Sequence, residues 1–248
     1  MATYGTMAVE TTALGAAMFY GLKKGKGHHH EDAPPLLQQI KEGIAEARRP
    51  IIALAYAASF VARGNLAVVG TFFTLWASIY GTTELGMTSA DAIKKGGGIL
   101  AISYAASLFS APIFGILSDK LTRITAMAIT LAIGAVGYGS TYFLSDPFGL
   151  PAIGSLILIG MAEVGCIITS GVLIAEQAPK RLRGSVVGIF TLSGAVGILI
   201  ASIVGGYLFD YWLNTGPFVF FGMISALVCI WALFLRGRDA GQITPAAN

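Results

Sequence analysis

The sequence predicts an all-α membrane protein: a bundle of six membrane-spanning helices, preceded by a partial or extra helix. Of its 248 residues, 55% are hydrophobic and only 12% are charged, and the mean hydropathy is +0.73. A helix rises 1.5 Å per residue, so about 20 apolar residues cross the hydrocarbon core, and six runs of that length are present. The alternating pattern of membrane β-barrel strands is absent, which favours helices.

The six predicted spans are each bounded by charged residues, proline or glycine. They are Ile51–Tyr80, Gly96–Leu117, Ile124–Leu144, Leu150–Ala175, Ser185–Phe209 and Phe218–Leu235. Glycines are frequent within the runs, and small residues allow membrane helices to approach closely, which favours a tight bundle. A seventh run, Gly5–Leu22, is weaker because it contains Glu10 and three threonines. It is predicted to be a further span.

A polar segment, residues 23–49, separates the weak run from the first clear one. Its apolar residues recur at a helical spacing with charged residues between them: Leu36, Leu37, Ile40 and Ile44. This spacing predicts a short amphipathic helix at a membrane surface, and a disordered linker is the alternative. The adjacent histidines His28–His30 lie in a flexible basic stretch, where no specific metal site is expected.

The basic residues are distributed unevenly among the loops. Of the sixteen, thirteen lie in the polar segment, in two short loops and in the carboxy-terminal tail, whereas only Lys94 and Lys95 lie in loops on the other side. Since cytoplasmic loops carry the excess of Lys and Arg, the linker and the carboxyl terminus are predicted to be cytoplasmic, in a bacterial-type plasma membrane. The net charge is +3, but these cations form no single patch, so a nucleic-acid partner is not indicated.

The loop after the second span reads GILSDKLTR, which places Gly115, Asp119, Lys120 and Arg123 in a G-x-x-x-D-K-x-x-R pattern. The glycine permits close helix approach, and the carboxylate can interact with a helix amino terminus or a cation. A charged turn that only keeps the loop in water is the alternative. In spacing and position, the loop resembles the signature of the major facilitator superfamily.

A second loop reads EQAPKRLRG, with Glu176, Arg183 and Gly184 in an E-x-x-P-x-x-x-R-G pattern. It resembles an element that follows the fourth helix of a half in the same family. The resemblance implies a conformational latch that locks the cytoplasmic helix ends in one state and releases them in the other. The residues it implies are Gly115, Asp119, Lys120, Arg123, Glu176, Arg183 and Gly184.

The resemblance also implies the organisation of the chain. Residues 1–22 would be the last helix of a missing amino-terminal half, and residues 23–49 the cytoplasmic linker. Residues 50–248 would be the carboxy-terminal six-helix half, made of two inverted three-helix repeats, with a short cytoplasmic tail. Because the family has twelve helices in two halves, we expect a fragment or a half-size protein that pairs with a partner half.

Two charged residues lie within predicted spans, where a charge costs about 2.5–3.5 kcal/mol on insertion scales. Arg63 lies thirteen positions after Pro50 and Glu163 twelve after Pro151, so each is about 18–20 Å along its helix, near the midplane. In the two repeats these positions would be equivalent. We expect Arg63, Glu163 and the nearby Asn65 to lie on a substrate or proton path, and a structural ion pair is the alternative. Four other polar residues are candidates for a cavity wall: Tyr104, Tyr138, Thr169 and Ser170.

The predicted function is secondary active transport of a small organic solute by alternating access, as part of a larger carrier. Arg63 favours an anionic solute and Glu163 favours proton coupling. An enzyme is disfavoured because all three histidines lie in the polar segment, and the two cysteines lack metal-ligand spacing, so no metal or cofactor is predicted. A seven-span receptor or a channel-like protein is the alternative, although two midplane charges of opposite sign suit a binding site better than a pore.

Overall fold

The computed structural model describes residues 35–240, with side chains described as far as residue 237. All but the first of these residues belong to one compact unit, Leu36–Asn248. Within this range the chain forms helices and connecting turns, without strands. The weak run Gly5–Leu22 and the histidines His28–His30 lie outside the described residues.

Eight α-helices follow one another along the described chain. They are α1 (Leu36–Ala45), α2 (Pro50–Val68), α3 (Thr74–Thr83), α4 (Ser89–Lys120), α5 (Arg123–Ser140), α6 (Leu150–Gln177), α7 (Arg183–Tyr211) and α8 (Gly216–Ala240). A π-helical turn, Val69–Phe73, joins α2 and α3 into one span. Six helical segments in the described range are long and apolar enough to cross a membrane, one for each clear apolar run. The predicted all-α fold class is confirmed.

The start of α4 differs from the hydropathy prediction. The helix begins at Ser89, whereas the apolar run begins at Gly96. The hydroxyl of Thr88 accepts the backbone N–H of Asp91 at 3.2 Å, and this N-cap sets the first turn. Lys94 and Lys95, which were expected in a loop, therefore lie within the helix. Hydropathy marks where lipid begins, whereas capping marks where the helix begins.

The spans pack as two interleaved repeats. The first repeat holds the α2–α3 span, α4 and α5, and the second holds α6, α7 and α8. The leading helix of each repeat packs against the second helix of the other: α2 against α7, and α6 against α4. The third helices, α5 and α8, pack against each other. Each repeat has an odd number of spans, so the two repeats begin on opposite sides of the membrane. The second repeat is therefore inverted relative to the first.

Matching hydrogen bonds join the two interleaved pairs. Ser193 of α7 donates to the backbone carbonyl of Tyr56 on α2 at 2.8 Å. Ser103 of α4 donates to the backbone carbonyl of Leu156 on α6 at 2.7 Å. Tyr56 and Leu156 are each the seventh residue of their helix. The same bond therefore recurs at equivalent positions, and the two pairs share one packing geometry.

Glycine makes the closest backbone approach in both pairs. A Cβ atom at Gly197 of α7 would collide with the carbonyl oxygen of Phe60, and one at Gly160 of α6 would collide with that of Ser103. Phe60 and Gly160 are each the eleventh residue of their helix. The crossing point is thus equivalent in the two pairs, although the glycine lies on different partners. Small residues at such crossings allow the close packing that holds membrane helices together.

Helix α1 lies in the polar segment and packs on the same end of the bundle as the two motif loops. Gly43 is buried against Ser185 and Ile189 of α7, and the hydroxyl of Tyr56 donates to the carbonyl of Gly43 at 2.9 Å. The apolar side chains of Leu36, Leu37 and Ile44 are exposed. Contact between these side chains and a membrane surface remains a prediction.

Candidate functional site

Arg63 lies at the contact between α2 and α7. A Cβ atom at Gly194 would lie 2.7 Å from Cγ of Arg63 and 3.0 Å from the hydroxyl of Ser59, so glycine makes room for the arginine stem. The Ser59 hydroxyl in turn donates to the carbonyl of Phe190 on α7 at 2.8 Å. Arg63 is exposed, and no ion pair to it is found within residues 35–237. Its guanidinium is therefore available to a solute in the described part of the molecule.

Glu163 lies at the equivalent contact of the second repeat. Arg63 and Glu163 are each the fourteenth residue of their helix. Gly194 and Tyr104 each directly follow the serine that joins its pair. Tyr104 lies close enough to Glu163 for an electrostatic interaction between the two side chains. The shared depth inferred from the sequence thus corresponds to a shared position in the packing.

The surroundings of the two charges differ. Glu163 is only 5% exposed, and the described residues provide it with no ion pair, to Arg63 or to any other cation. A second electrostatic neighbour is Tyr138 of α5, which is fully buried and whose hydroxyl has no hydrogen-bond partner within the described part of the chain. Buried polar groups are normally hydrogen-bonded, so a buried hydroxyl without a partner among the described residues is unusual. It marks this region as chemically distinct from the apolar core around it.

Asn65 is also buried, with 2% exposure, and its side-chain oxygen has no hydrogen-bond partner among the described residues. The π-helical turn Val69–Phe73 begins four residues later, and the hydroxyl of Thr74 donates to the carbonyl of Gly70 at 3.2 Å. Isolated π turns occur frequently at functional sites. The apolar run Ile51–Tyr80 predicts a continuous span and does not predict this turn. Its available signal was a glycine flanked by threonine within a long apolar run.

Two of the polar residues expected on a cavity wall bond within their own helix. The hydroxyl of Thr169 donates to the carbonyl of Gly165 at 2.9 Å, and that of Ser170 donates to the carbonyl of Cys166 at 2.6 Å. Both side chains are buried. The Thr169 hydroxyl also lies 3.4 Å from the hydroxyl of Thr130 on α5, and either of the two can be the donor.

The two motif loops meet at one end of the bundle. Nε and Nη2 of Arg123, at the start of α5, donate to Oε1 of Glu176, near the end of α6, at 3.0 and 2.7 Å. Asp119 lies 3.6 Å from Nη1 of the same guanidinium, which also donates to the carbonyl of Ser118. Charge-assisted bonds of this kind combine strength with fixed geometry. Arg123 therefore ties α4, α5 and α6 together.

The other residues implied for the latch lie outside this network. Arg183 donates to the carbonyl of Ala175 at 2.6 Å, and so satisfies a carbonyl in the last turn of α6. Lys120 has no ion pair within the described range. Apart from the adjoining backbone of its own helix, no described atom lies within 4 Å of a Cβ atom placed at Gly115 or at Gly184. The close helix approach expected at Gly115 is thus not made by the described residues.

Comparison with known proteins places this architecture in a family. The family model described as the Major Facilitator Superfamily matches residues 4–199 and residues 52–248. The magnetosome protein MamH of Paramagnetospirillum magneticum is 32% identical over 191 residues, which cover 77% of this chain and 44% of that protein. The magnetosome protein MamZ of Magnetospirillum gryphiswaldense is 30% identical over 197 residues, which cover 78% of this chain and 30% of that protein.

The D-galactonate transporter of Escherichia coli is 27% identical over 244 residues, which cover 92% of this chain and 51% of that protein. The chain thus spans about half or less of the length of these relatives. The family model matches well over half of the chain, and the described residues contain six helices able to cross a membrane. The chain is an integral, multi-pass membrane protein and belongs to the Major Facilitator Superfamily.

Proposed function

We propose that this chain is the carboxy-terminal half of a secondary active transporter that moves a small organic solute by alternating access. In this proposal, residues 1–22 form the last helix of an amino-terminal half, residues 23–49 the linker, and residues 50–248 the transporting half. The observation that carries the proposal is the placement of Arg63 and Glu163 at equivalent contacts of two inverted repeats. Symmetric intramembrane positions at a repeat interface are typical of solute and coupling-ion sites in transporters.

The solute is proposed to be anionic. Arg63 presents an exposed guanidinium that pairs with no carboxylate among the described residues, and its planar group can bind a carboxylate through two parallel hydrogen bonds. One relative is named as a transporter of D-galactonate, which is a sugar acid. That name supports a carboxylate-bearing solute as the first class of compound to test.

The coupling ion is proposed to be a proton carried by Glu163. A buried carboxylate without a counterion bears a large desolvation cost, and protonation removes that cost. Exchange of this proton can therefore be linked to a change in exposure of the site. Family membership and the relative named as a transporter favour this function over an enzyme, a receptor or a channel.

The test uses proteoliposomes that contain the chain within its complete carrier, with labelled D-galactonate and related sugar acids as probes. We expect saturable, exchangeable transport, whereas current without saturation would indicate a channel. Glu163→Gln should abolish uphill, proton-driven uptake and preserve exchange down a gradient, because only the ionisable function is lost. Arg63→Lys should weaken solute binding, because a two-pronged planar donor becomes a point charge.

A structural ion pair formed in another conformation predicts a different result. Each single neutralisation would then leave one charge unpaired and lower protein yield. Combining Arg63→Met with Glu163→Gln would restore both yield and proton-driven uptake. Recovery of proton-driven uptake in that double variant would show that Glu163 does not carry the coupled proton.

The linker and the carboxyl terminus are proposed to be cytoplasmic, in a bacterial-type inner membrane. Two relatives are named as magnetosome proteins, so fractionation of the host's membranes should include the magnetosome membrane where one is present. Single cysteines introduced at Lys41 and Arg183 should react with impermeant reagents only from the cytoplasm, and one at Thr83 only from outside. The native cysteines are buried and should react slowly. Labelling of all three sites from one face would contradict the topology.

The Arg123 network is proposed to act as the conformational latch. It links the first repeat, through Asp119 and Arg123, to Glu176 of the second, so opening at this end requires the network to separate. The other residues implied for the latch are proposed to contribute to it in another conformation, or through contacts outside the described residues. They are Gly115, Lys120, Arg183 and Gly184. Since none of these groups lies at the depth of Arg63, the latch biases a conformational equilibrium without touching the solute.

A further inference from the structure

A cavity of about 540 Å³ opens at the end of the bundle that carries the Arg123 network. It lies between the start of α2, the junction of α4 with α5, and the ends of α6 and α8. Much of its wall is apolar, and Ile51, Ile124 and Leu173 contribute to it. Because these are the ends of membrane spans, the cavity lies at the level where lipid headgroups meet the acyl chains.

Two cations at this cavity form no ion pair with a described residue. Lys120 and Arg236 line it and are exposed, and neither forms an ion pair with a carboxylate anywhere in the described range. Arg123 also lines the cavity, but its charge is already paired with Glu176. None of the lining residues is acidic. The cavity therefore has, beside an apolar wall, two positive charges that form no ion pair with a described residue.

The helix end at the cavity contributes little to anion binding. Thr122 caps α5: its hydroxyl accepts the backbone N–H of Thr125 at 3.4 Å and contacts the Thr125 hydroxyl at 2.7 Å. The first N–H groups of α5 are thus partly satisfied by the chain itself. The cationic side chains are the groups that remain for a negatively charged ligand.

We infer that this cavity binds an anionic phospholipid, with the headgroup phosphate between Lys120 and Arg236 and an acyl chain against the apolar wall. Basic pockets between spans at the cytoplasmic face are suited to anionic headgroups, because cations near the membrane surface attract anionic lipids. A free phosphate ion shares the headgroup chemistry, but it would leave the apolar wall uncovered. The lipid uses both features of the cavity, so we assign the site to the lipid. This inference does not depend on the identity of the transported solute.

The experiment measures lipid binding to the full 248-residue chain in detergent micelles by native mass spectrometry, with titrated phosphatidylglycerol and phosphatidylcholine. We expect saturable phosphatidylglycerol binding that the Lys120→Gln/Arg236→Gln double variant weakens at least tenfold. The matched control is Arg181→Gln, which removes one exposed cation from a loop at the same end but does not line the cavity. The control should bind phosphatidylglycerol like the parent chain.

Three results would overturn the inference. Phosphatidylcholine could bind as tightly as phosphatidylglycerol, inorganic phosphate could displace the lipid at equal concentration, or the double variant could bind like the parent chain. The second result would assign the site to a soluble phosphate instead. If the double variant does not fold, as judged by circular dichroism, each single variant is measured. Each single variant should then weaken binding about threefold or more, and an unchanged affinity in both would contradict the site.

Discussion

The α2–α7 pair and the α6–α4 pair share one scaffold but hold opposite chemistry. Each pair is joined by a serine hydroxyl on the backbone carbonyl of a seventh residue, and each crosses at a glycine. At the fourteenth residue the pairs diverge: Arg63 is exposed beside Gly194, whereas Glu163 is buried beside Tyr104. Equivalent backbone positions therefore provide two different sites.

The difference between the pairs separates the interactions that position the helices from those that set the exposure of the charged side chains. Helix crossing depends on backbone contacts and on small residues, and these recur in both pairs. Exposure depends on the side chains opposite the charge. Glycine at position 194 leaves Arg63 open, whereas the tyrosines at 104 and 138 accompany a buried Glu163. A repeated scaffold can thus hold an exposed guanidinium on one side and a buried carboxyl group on the other.

The largest loss of stability is expected from substitutions at the two glycines where the helix pairs cross. Gly197→Ala and Gly160→Ala each place a methyl group against a backbone carbonyl, and overpacking of this kind costs about 1–3 kcal/mol or more. We expect a large fall in thermal stability in detergent, similar for the two variants. Gly206→Ala in α7 and Gly154→Ala in α6 are the matched controls, because no described atom outside the adjoining helix backbone lies within 4 Å of the new methyl group. Equal stability of test and control variants would refute the crossing geometry.

The joining serines give a smaller and more quantitative test. Ser193→Ala and Ser103→Ala each remove one interhelical hydrogen bond, and such bonds in membrane proteins contribute about 0.6 kcal/mol on average and at most about 1.7 kcal/mol. If the pairs are equivalent, unfolding in mixed micelles should show similar losses that add in the double variant. Ser202→Ala, whose hydroxyl donates to Ile198 of its own helix, is the control. A loss confined to one pair would show that the repeats are equivalent in geometry alone.

The smallest effect is expected at the Arg123 network, where the two repeats meet. Glu176→Gln weakens bonds of 2.7 and 3.0 Å, whereas Asp119→Asn alters a 3.6 Å contact of a carboxylate that is 82% exposed. Exposed ion pairs contribute about 0.2–1 kcal/mol, so Glu176→Gln should fall within this range and Asp119→Asn at or below its lower limit. Thermal unfolding at low and high salt measures the stability loss of each variant, since salt screens exposed ion pairs. A larger loss for Asp119→Asn would reverse the assigned roles.

In the complete carrier, the same two variants should slow transport while equilibrium solute binding stays within about tenfold, or roughly 1.4 kcal/mol. Arg183→Ala is expected to behave in the same way, because its guanidinium satisfies a helix carbonyl away from the solute path. A much greater loss of binding with normal conformational cycling would place these residues at the solute site.

The sequence by itself determined the spans, the loop motifs and the positions of the two charges along their helices. In lipid, every backbone polar group must be satisfied internally, so an apolar run of sufficient length forms a helix whatever its neighbours are. The distance of a residue from the start of its helix follows from the rise per residue. The sequence therefore predicts that Arg63 and Glu163 occupy equivalent positions on their two helices. The start of α4 was mislocated because capping by Thr88, and not hydropathy, sets the first turn.

Only the tertiary structure decided which side chains meet. The sequence suggested five charged latch residues, but the packing brings Arg123 to Glu176 and Asp119 and leaves Arg183 on a backbone carbonyl. It likewise exposes Arg63, buries Glu163 and introduces the π turn after Asn65. Spacing along a helix specifies height, whereas exposure and partners depend on how each helix is rotated about its axis against its neighbours. That rotation is set by contacts such as Gly197 with Phe60, which join residues more than a hundred positions apart in the chain.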